Sequence, residues 1–219
     1  MGKIPSDNEF DNLIHNYIKN DNIFIFSIKK ITNLFWEVVD RLSYNNDRIA
    51  KAYEGYIGKG YKNEYETFNL TNGSKALHIG CGAYPLTEIT LAKELKINVV
   101  GIDKNKNAVD LARNIVKRKN LEEKIKIEHA NGTIFPVDGY DLIIISSCAL
   151  PKLQILDHIF KKAKKPSRII VRELDIALTT VSKFIKQYKD IEFEKITHSK
   201  PGSTVLSFGW TAMYLKKTN

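Results

Sequence analysis

Cysteine, proline, methionine and tryptophan are scarce in this 219-residue chain, at 2, 6, 2 and 2 residues. The two cysteines, Cys81 and Cys148, stand far apart, with no Cys-x-x-Cys and no histidine at ligand spacing. That argues against a structural zinc site and suits a reducing cytosol, so no metal is expected. No apolar run approaches 18 residues, which excludes a membrane-spanning helix as an expectation. The opening Met1-Gly2-Lys3-Ile4-Pro5-Ser6-Asp7 lacks a long apolar stretch, so no secretory signal is expected and a cytoplasmic location is. Charge of one sign is in modest excess: 34 Lys and Arg against 25 Asp and Glu give +9. The lysines are dispersed, apart from Lys161-Lys162-Ala163-Lys164-Lys165, and dispersed charge reads as solvated surface. A nucleic-acid partner is therefore disfavoured yet left open, and a small anionic substrate would need only a local patch.

What is present is a real core. Residues of the apolar class make up 43% of the chain, and the length accommodates one α/β domain of about 150 residues plus an extra piece. The first 72 residues read as a helical unit. Phe10, Leu13, Ile14, Tyr17 and Ile18 recur at helical spacing behind Asp7 as an N-cap. A second helix is expected from about Ser27 to Ser43, with Ile28, Ile31, Leu34, Phe35, Val38, Val39 and Leu42 on one stripe. A third, from Asp47 to Phe68, is weakened by Gly55, Gly58 and Gly60. Turn chemistry over 69–74 marks a boundary, which divides the chain into a helical lid, 1–72, and a second domain, 73–219.

From Lys75 the hydrophobic period alternates. Strands are expected at Ala76–Ile79, Asn98–Ile102, Ile125–His129, Leu142–Ser146 and Arg168–Arg172. Helices fall between them at Leu86–Leu95, Lys106–Lys119 and Leu153–Lys162, with Asn105 placed to cap the second. Short apolar strands flanked by helices imply a parallel sheet covered on both faces. One more helix, to about Tyr188, precedes two successive strands, Phe193–Thr197 and Thr204–Leu215, that suggest a closing antiparallel hairpin. The fold class expected is α/β: a Rossmann-like, mostly parallel class I methyltransferase sheet with an antiparallel C-terminal hairpin and a helical N-terminal lid.

The chemistry concentrates at Gly80-Cys81-Gly82-Ala83-Tyr84-Pro85. A glycine turn between a strand and a helix lets the backbone approach a ligand, and Asp103 follows 21 positions after Gly82, where it would meet a ribose. The third glycine of the dinucleotide fingerprint is replaced by Pro85. A pyrophosphate gains from a close helix N-terminus, whereas the sulfonium of S-adenosylmethionine gains less, so the substitution favours S-adenosylmethionine over NAD. Cofactor contacts are expected from Gly80, Cys81, Gly82, Tyr84, Pro85, Asp103 and Lys104. Asn131-Gly132 would hold the adenine amino group through the Asn131 carbonyl, and Ser146 would contribute from the fourth strand's exit.

The run His78-Ile79-Gly80-Cys81-Gly82-Ala83-Tyr84-Pro85-Leu86-Thr87 resembles the Gly-x-Gly-Pro-Leu-Pro-Leu-Thr signature of nicotianamine synthases and related opine-metallophore synthases. Cys148-Ala149-Leu150-Pro151-Lys152 is similar to that family's Ala-Leu-Ala-x-Pro-Lys element, and Tyr53-Glu54-Gly55-Tyr56 to its Tyr-Glu-Asn-Tyr segment. The resemblance spans about Ala52 to Arg172, with Ala83-Tyr84 where the family has Pro-Leu. It implies a fold that uses S-adenosylmethionine under a helical lid, and a catalytic Glu54.

Glu54 beside Tyr53 or Tyr56 would keep an amine nucleophile neutral, with Glu64 and Glu66 as rivals. Tyr53, Cys148 and Arg172 are candidate acceptor contacts; Arg172 could grip a carboxylate or form an internal ion pair. Of the five histidines, His15, His158 and His198 lack partners at useful spacing, and His78 and His129 suit core or edge roles. The reading is an S-adenosylmethionine-dependent transferase, with methyl transfer to a small molecule leading and a homodimer admitted. Transfer of a 3-amino-3-carboxypropyl group to an amine, releasing methylthioadenosine, is the alternative. An RNA-directed methyltransferase and a non-catalytic binding module come after these.

Overall fold

The computed structural model describes residues 23–66, 68, 70–71, 73–163, 166–198 and 210–218. The helix expected over residues 7–18 lies outside them, as does the start of the last expected strand.

Seven strands form one sheet in the order β3-β2-β1-β4-β5-β7-β6. They are β1 Lys75–Ile79, β2 Asn98–Asp103, β3 Ile125–His129, β4 Leu142–Ile145, β5 Arg168–Leu174, β6 Ile191–His198 and β7 Trp210–Lys217. The first five are parallel, and β7 inserts antiparallel between β5 and β6. The apolar runs explain the register. In β4 every residue of Leu142–Ile145 is buried, because helices cover both faces of a parallel sheet. Odd positions such as Leu77, Ile143 and Val171 enter one cluster, and even ones such as Ala76, Ile144 and Ile170 enter another. The strand order reverses between β1 and β4, and ligands of open α/β sheets bind in the crevice at such a point.

Helices α1 Ile23–Asn45, α2 Asp47–Tyr53 and α3 Lys59–Glu66 precede the sheet. Asn46 caps α2 by accepting from the Arg48 and Ile49 amides. The third expected helix is interrupted rather than continuous: Glu54–Gly58 winds as a π turn where the glycines weaken the helix. Gly58 lies against α4, Leu86–Glu94, where a Cβ would stand 3.3 Å from Thr90 Oγ1.

The apolar stripe of α1 is turned away from the sheet. Ile31, Leu34, Phe35, Val38 and Leu42 are exposed, Leu34 at 61%. The face turned to the sheet carries Lys29, Thr32, Asp40 and Ser43, all buried. A helix that covers a polar crevice must present polar groups to it. Lys29 reaches Glu173 at 3.2 Å with both side chains buried.

The remaining helices are α5 Lys106–Arg118, α6 Lys152–Lys162 and α7 Leu178–Ile185. Asn105 caps α5 as expected, accepting from the Asn107 and Ala108 amides.

Gly101 in β2 is fixed by packing. A Cβ there would collide with Glu88 Oε1 and stand 2.9 Å from Ile127 Cδ1. Glu88 is fully buried and holds His78 Nδ1 at 2.8 Å, so it has little freedom to yield. Gly101→Ala is expected to destabilise the domain by about 1–3 kcal/mol. Chemical denaturation would show this as a lower midpoint at unchanged slope; an unchanged midpoint would refute it.

Candidate cofactor and acceptor cleft

A cavity of about 390 Å³ opens at the carboxyl ends of β1, β2 and β4. Its floor is built by the β1–α4 turn. Gly80 and Gly82 adopt φ of +89° and +69°, which only glycine takes without strain. The Gly80 and Cys81 amides both donate to Ile102 O, at 2.8 and 3.1 Å, so the turn is strapped to the end of β2. Asp103 is held there by two amides: Gly82 N–H donates to Oδ2 at 3.1 Å and Asn105 N–H to Oδ1 at 2.9 Å. At its two glycines the turn is therefore bare of side chains, and it has a fixed carboxylate at its lip. That cradle fits a sugar-bearing ligand, whose hydroxyls would use the carboxylate's remaining lone pairs.

The roof is α1. Asn33, Trp36, Glu37 and Asp40 line the cavity along one face of that helix. Trp36 stacks on Tyr53 with centroids 6.1 Å apart, and Tyr53 meets Tyr84 at 5.9 Å. Asp40 is 9% exposed, and its Oδ2 accepts from the Ala83 amide at 3.0 Å. Burial pushes its carboxyl up to about 7 against the opposing pull of the Tyr84 and Ala83 amides, and the charges of Glu88 and Asp103 add to the rise.

Residues 70–211 match the family model of a methyltransferase domain, which is well over half of the chain. The chain belongs to this methyltransferase domain family. It is 25% identical over 152 residues to a demethylmenaquinone methyltransferase of Lactobacillus johnsonii, covering 66% of this chain. It spans only 61% of that curated relative's length. Among solved structures, a point mutant of MtNAS superposes with a TM-score of 0.71 at 16% identity, over 93% of this chain and 80% of that one. The same mutant in complex with S-adenosylmethionine gives 0.65 at 17% identity, over 83% and 71%. The [4+2]-cyclase SpnF gives 0.61 at 11% identity, over 74% and 81%. These likenesses establish a shared fold.

In this methyltransferase domain Gly80, Cys81, Gly82, Tyr84, Asp103, Lys104, Asn131, Gly132 and Ser146 all border the cavity. Pro85 stands just before α4 as its N-cap. Lys104 donates to Leu150 O at 3.1 Å. The Asn131 carbonyl already accepts from the Thr133 amide and hydroxyl, at 3.0 and 2.9 Å, so it is engaged in its own turn. Tyr53 and Cys148 face the cavity, and burial raises the Cys148 thiol to about 11. Arg172 also borders it, but the internal ion pair is what forms: its guanidinium donates to Glu64 at 2.9 Å, Thr87 at 3.0 Å and Tyr65.

Glu54 and Tyr56 sit elsewhere. Glu54 is absent from the cavity wall and is tied to Lys119 at 2.5 Å and the Tyr84 hydroxyl at 2.5 Å. Burial works against ionisation there, yet Lys119 and Tyr84 hold its carboxyl below the usual carboxylate range. Tyr56 is 69% exposed. Asp40 was the residue that sequence reasoning passed over. Its only signal was an acid among the aromatic residues of an amphipathic helix. Among the described residues no cluster of three or more metal-ligating side chains occurs.

Asp40 makes a pH-dependent statement about stability. Its carboxyl titrates higher folded than unfolded, so the native state holds the extra proton between about pH 4 and 7, and stability falls as pH rises through that window. The penalty above pH 7 is on the order of 4 kcal/mol. Asp40→Asn is expected to melt several degrees higher than wild type at pH 8, with the gain vanishing near pH 4. Scanning calorimetry at both pH values checks this, and a variant less stable at pH 8 would contradict it.

Proposed function

We propose that this chain is an S-adenosylmethionine-dependent methyltransferase acting on a small molecule held beneath α1. The observation that carries the reading is the turn with glycine at positions 80 and 82 and Asp103 fixed at its lip, at the strand-order reversal of a methyltransferase-family sheet. S-adenosylmethionine would supply an electrophilic methyl carbon on a positively charged sulfur. Asp103 would accept from the ribose hydroxyls, and the Gly80–Gly82 backbone would lie along the nucleoside. Ser146 and Gly132 would border the adenine. Trp36, Tyr53 and Tyr61 supply apolar walls for the acceptor, with Cys148 beside them.

The chain's own part in the chemistry is positioning. With the cofactor bound, an acceptor lone pair would form the bond to carbon as the carbon–sulfur bond broke with its electrons left on sulfur, and the acceptor's proton would pass to solvent. Alignment of attacking atom, carbon and sulfur is what a roofed, water-excluding cleft provides. The roof also favours an acceptor that fits a cavity of this size over a polymer. Among the described residues no helix is long and apolar enough to cross a membrane.

A second reading is transfer of the 3-amino-3-carboxypropyl group. The structural likeness to MtNAS extends over 93% of the chain, and MtNAS has been solved in complex with MTA and tNA. Against it, Glu54, the carboxylate carried over for that chemistry, is ion-paired outside the cavity.

Incubation with S-adenosylmethionine and a panel of hydroxylated and amine acceptors, followed by mass spectrometry of the nucleoside, tests both. S-adenosylhomocysteine is the expected product; methylthioadenosine in its place would overturn the methyl reading. Asp103→Ala is expected to weaken S-adenosylmethionine binding on the order of ten- to a hundredfold, read by calorimetry. Undiminished binding would remove Asp103 from the site.

A further inference from the structure

Two carboxylates converge on Gly82 from opposite sides. Asp103 Oδ2 accepts from the Gly82 amide at 3.1 Å. Asp40 Oδ2 occupies the place a Gly82 side chain would need, and accepts from the next amide, Ala83, at 3.0 Å. Asp40 comes from α1 and Asp103 from the end of β2, so the pair spans roof and floor of one cavity. Among the described residues Asp40 forms no ion pair.

Its charged and titratable surroundings are mostly acidic. Glu88 of α4 and Asp103 of β2 each add negative potential, while Tyr53 of α2, Tyr61 of α3, and the thiols of Cys81 and Cys148 are held neutral by burial. Glu37 and Arg41 of α1 border the cavity at its rim. Arg172, the buried cation on the far wall, is already matched by Glu64. A desolvated carboxylate beside two others is a costly arrangement unless a cation arrives. Below pH 7 a proton relieves this arrangement; above it, a ligand that brings positive charge to the Gly82–Ala83 segment would do the same.

We propose that Asp40 is the counter-ion for the positive charge of the adenosyl cofactor, and that the same carboxylate, bonded to the Ala83 amide, holds α1 over the cofactor turn. The proposal rests on the cavity being an S-adenosylmethionine site. S-adenosylmethionine carries two cationic centres, the sulfonium and the methionyl ammonium, and a dinucleotide carries none of comparable kind on a flexible arm. Asp40 thus acts as a selectivity element as well as a latch. It also makes cofactor affinity depend on pH. Asp40 is largely protonated at pH 6, and only the carboxylate attracts a cation, so binding there must expel a proton. At pH 8 the carboxylate is already formed and no proton moves.

Titration calorimetry with S-adenosylmethionine at pH 6 and pH 8, in two buffers of different ionisation heat, reads affinity and proton release together. Wild type is expected to bind about tenfold more weakly at pH 6 than at pH 8, with close to one proton released at pH 6 and nearly none at pH 8. Asp40→Asn, whose folding the melting experiment verifies, is expected to release no proton and to bind with one affinity at both pH values. That affinity should lie on the order of ten- to a hundredfold below wild type at pH 8. Wild-type binding that ignores pH, or a variant that keeps wild-type affinity and proton release, overturns the counter-ion role while leaving the cofactor reading intact. No binding heat from wild type at either pH, with Asp103→Ala equally silent, overturns the cofactor reading and the counter-ion with it.

Discussion

One carbonyl organises the ligand-binding edge of this molecule. Ile102 O receives two successive amides, Gly80 and Cys81, from the neighbouring strand's exit. That double bond turns the chain sharply out of β1 and brings Gly82 under Asp103, so the carboxylate is aimed by backbone hydrogen bonds alone. A carboxylate fixed in this way loses little freedom when a ligand arrives, which is how a shallow crevice becomes a binding site. The positive φ angles at Gly80 and Gly82 are the local condition for it. A side chain at Gly80 would meet Ser146 and Ala149 at 3.1 and 3.2 Å, and one at Gly82 would strike Asp40. The turn, the fourth strand's exit and the lid are therefore fitted to each other through missing side chains.

Much of the sheet was legible in the sequence because parallel strands buried on both faces leave short unbroken apolar runs. Leu142–Ile145 and the hydrophobic part of Arg168–Leu174 are such runs, and their shortness and β-branched content mark them as strand rather than buried helix. The Asn105 cap was legible because capping is local chemistry. The antiparallel pair at the end was inferred from two strands without an intervening helix, but its insertion order, with β7 inside and β6 at the edge, is a tertiary fact with no local sign.

The helical segment was legible as helix, but the face it buries was not. Periodicity reports that Ile31, Leu34, Phe35, Val38 and Leu42 share a side, and says nothing about which side meets the sheet. Here the surface below is a polar crevice containing Glu173, Asp103 and the exposed amides of the β1–α4 turn. The polar face of α1 is the complementary one, and Lys29 and Asp40 are its contacts. Asp40 could not be read from sequence for the same reason. It lies 43 positions from its partner Ala83, and its perturbation comes from burial by elements that converge only in the folded chain. Glu54 shows the limit of a local motif: its contacts with Lys119 and the Tyr84 hydroxyl are made by the fold and have no sign in the Tyr53–Tyr56 segment.

The distribution of buried charge separates structural from functional roles in this fold. Arg172 donates to Glu64, Tyr65 and Thr87, and Lys29 pairs with Glu173, and such matched charges fix the seat of the helices on the sheet. Lys152 is likewise matched, donating to Ser146 O and to Arg172 O at 3.0 Å, although burial lowers its ammonium to about 8. Asp40 is the carboxylate in this set whose neighbours repel it. Burial of such an acid costs stability once it ionises, and a cation bound beside it would offset that cost. In a cavity whose lip carries a second fixed carboxylate, the same Asp40 oxygen that accepts from the Ala83 amide is placed to face that cation. Seating of α1 on the turn and capture of the cofactor's charge then share one carboxylate.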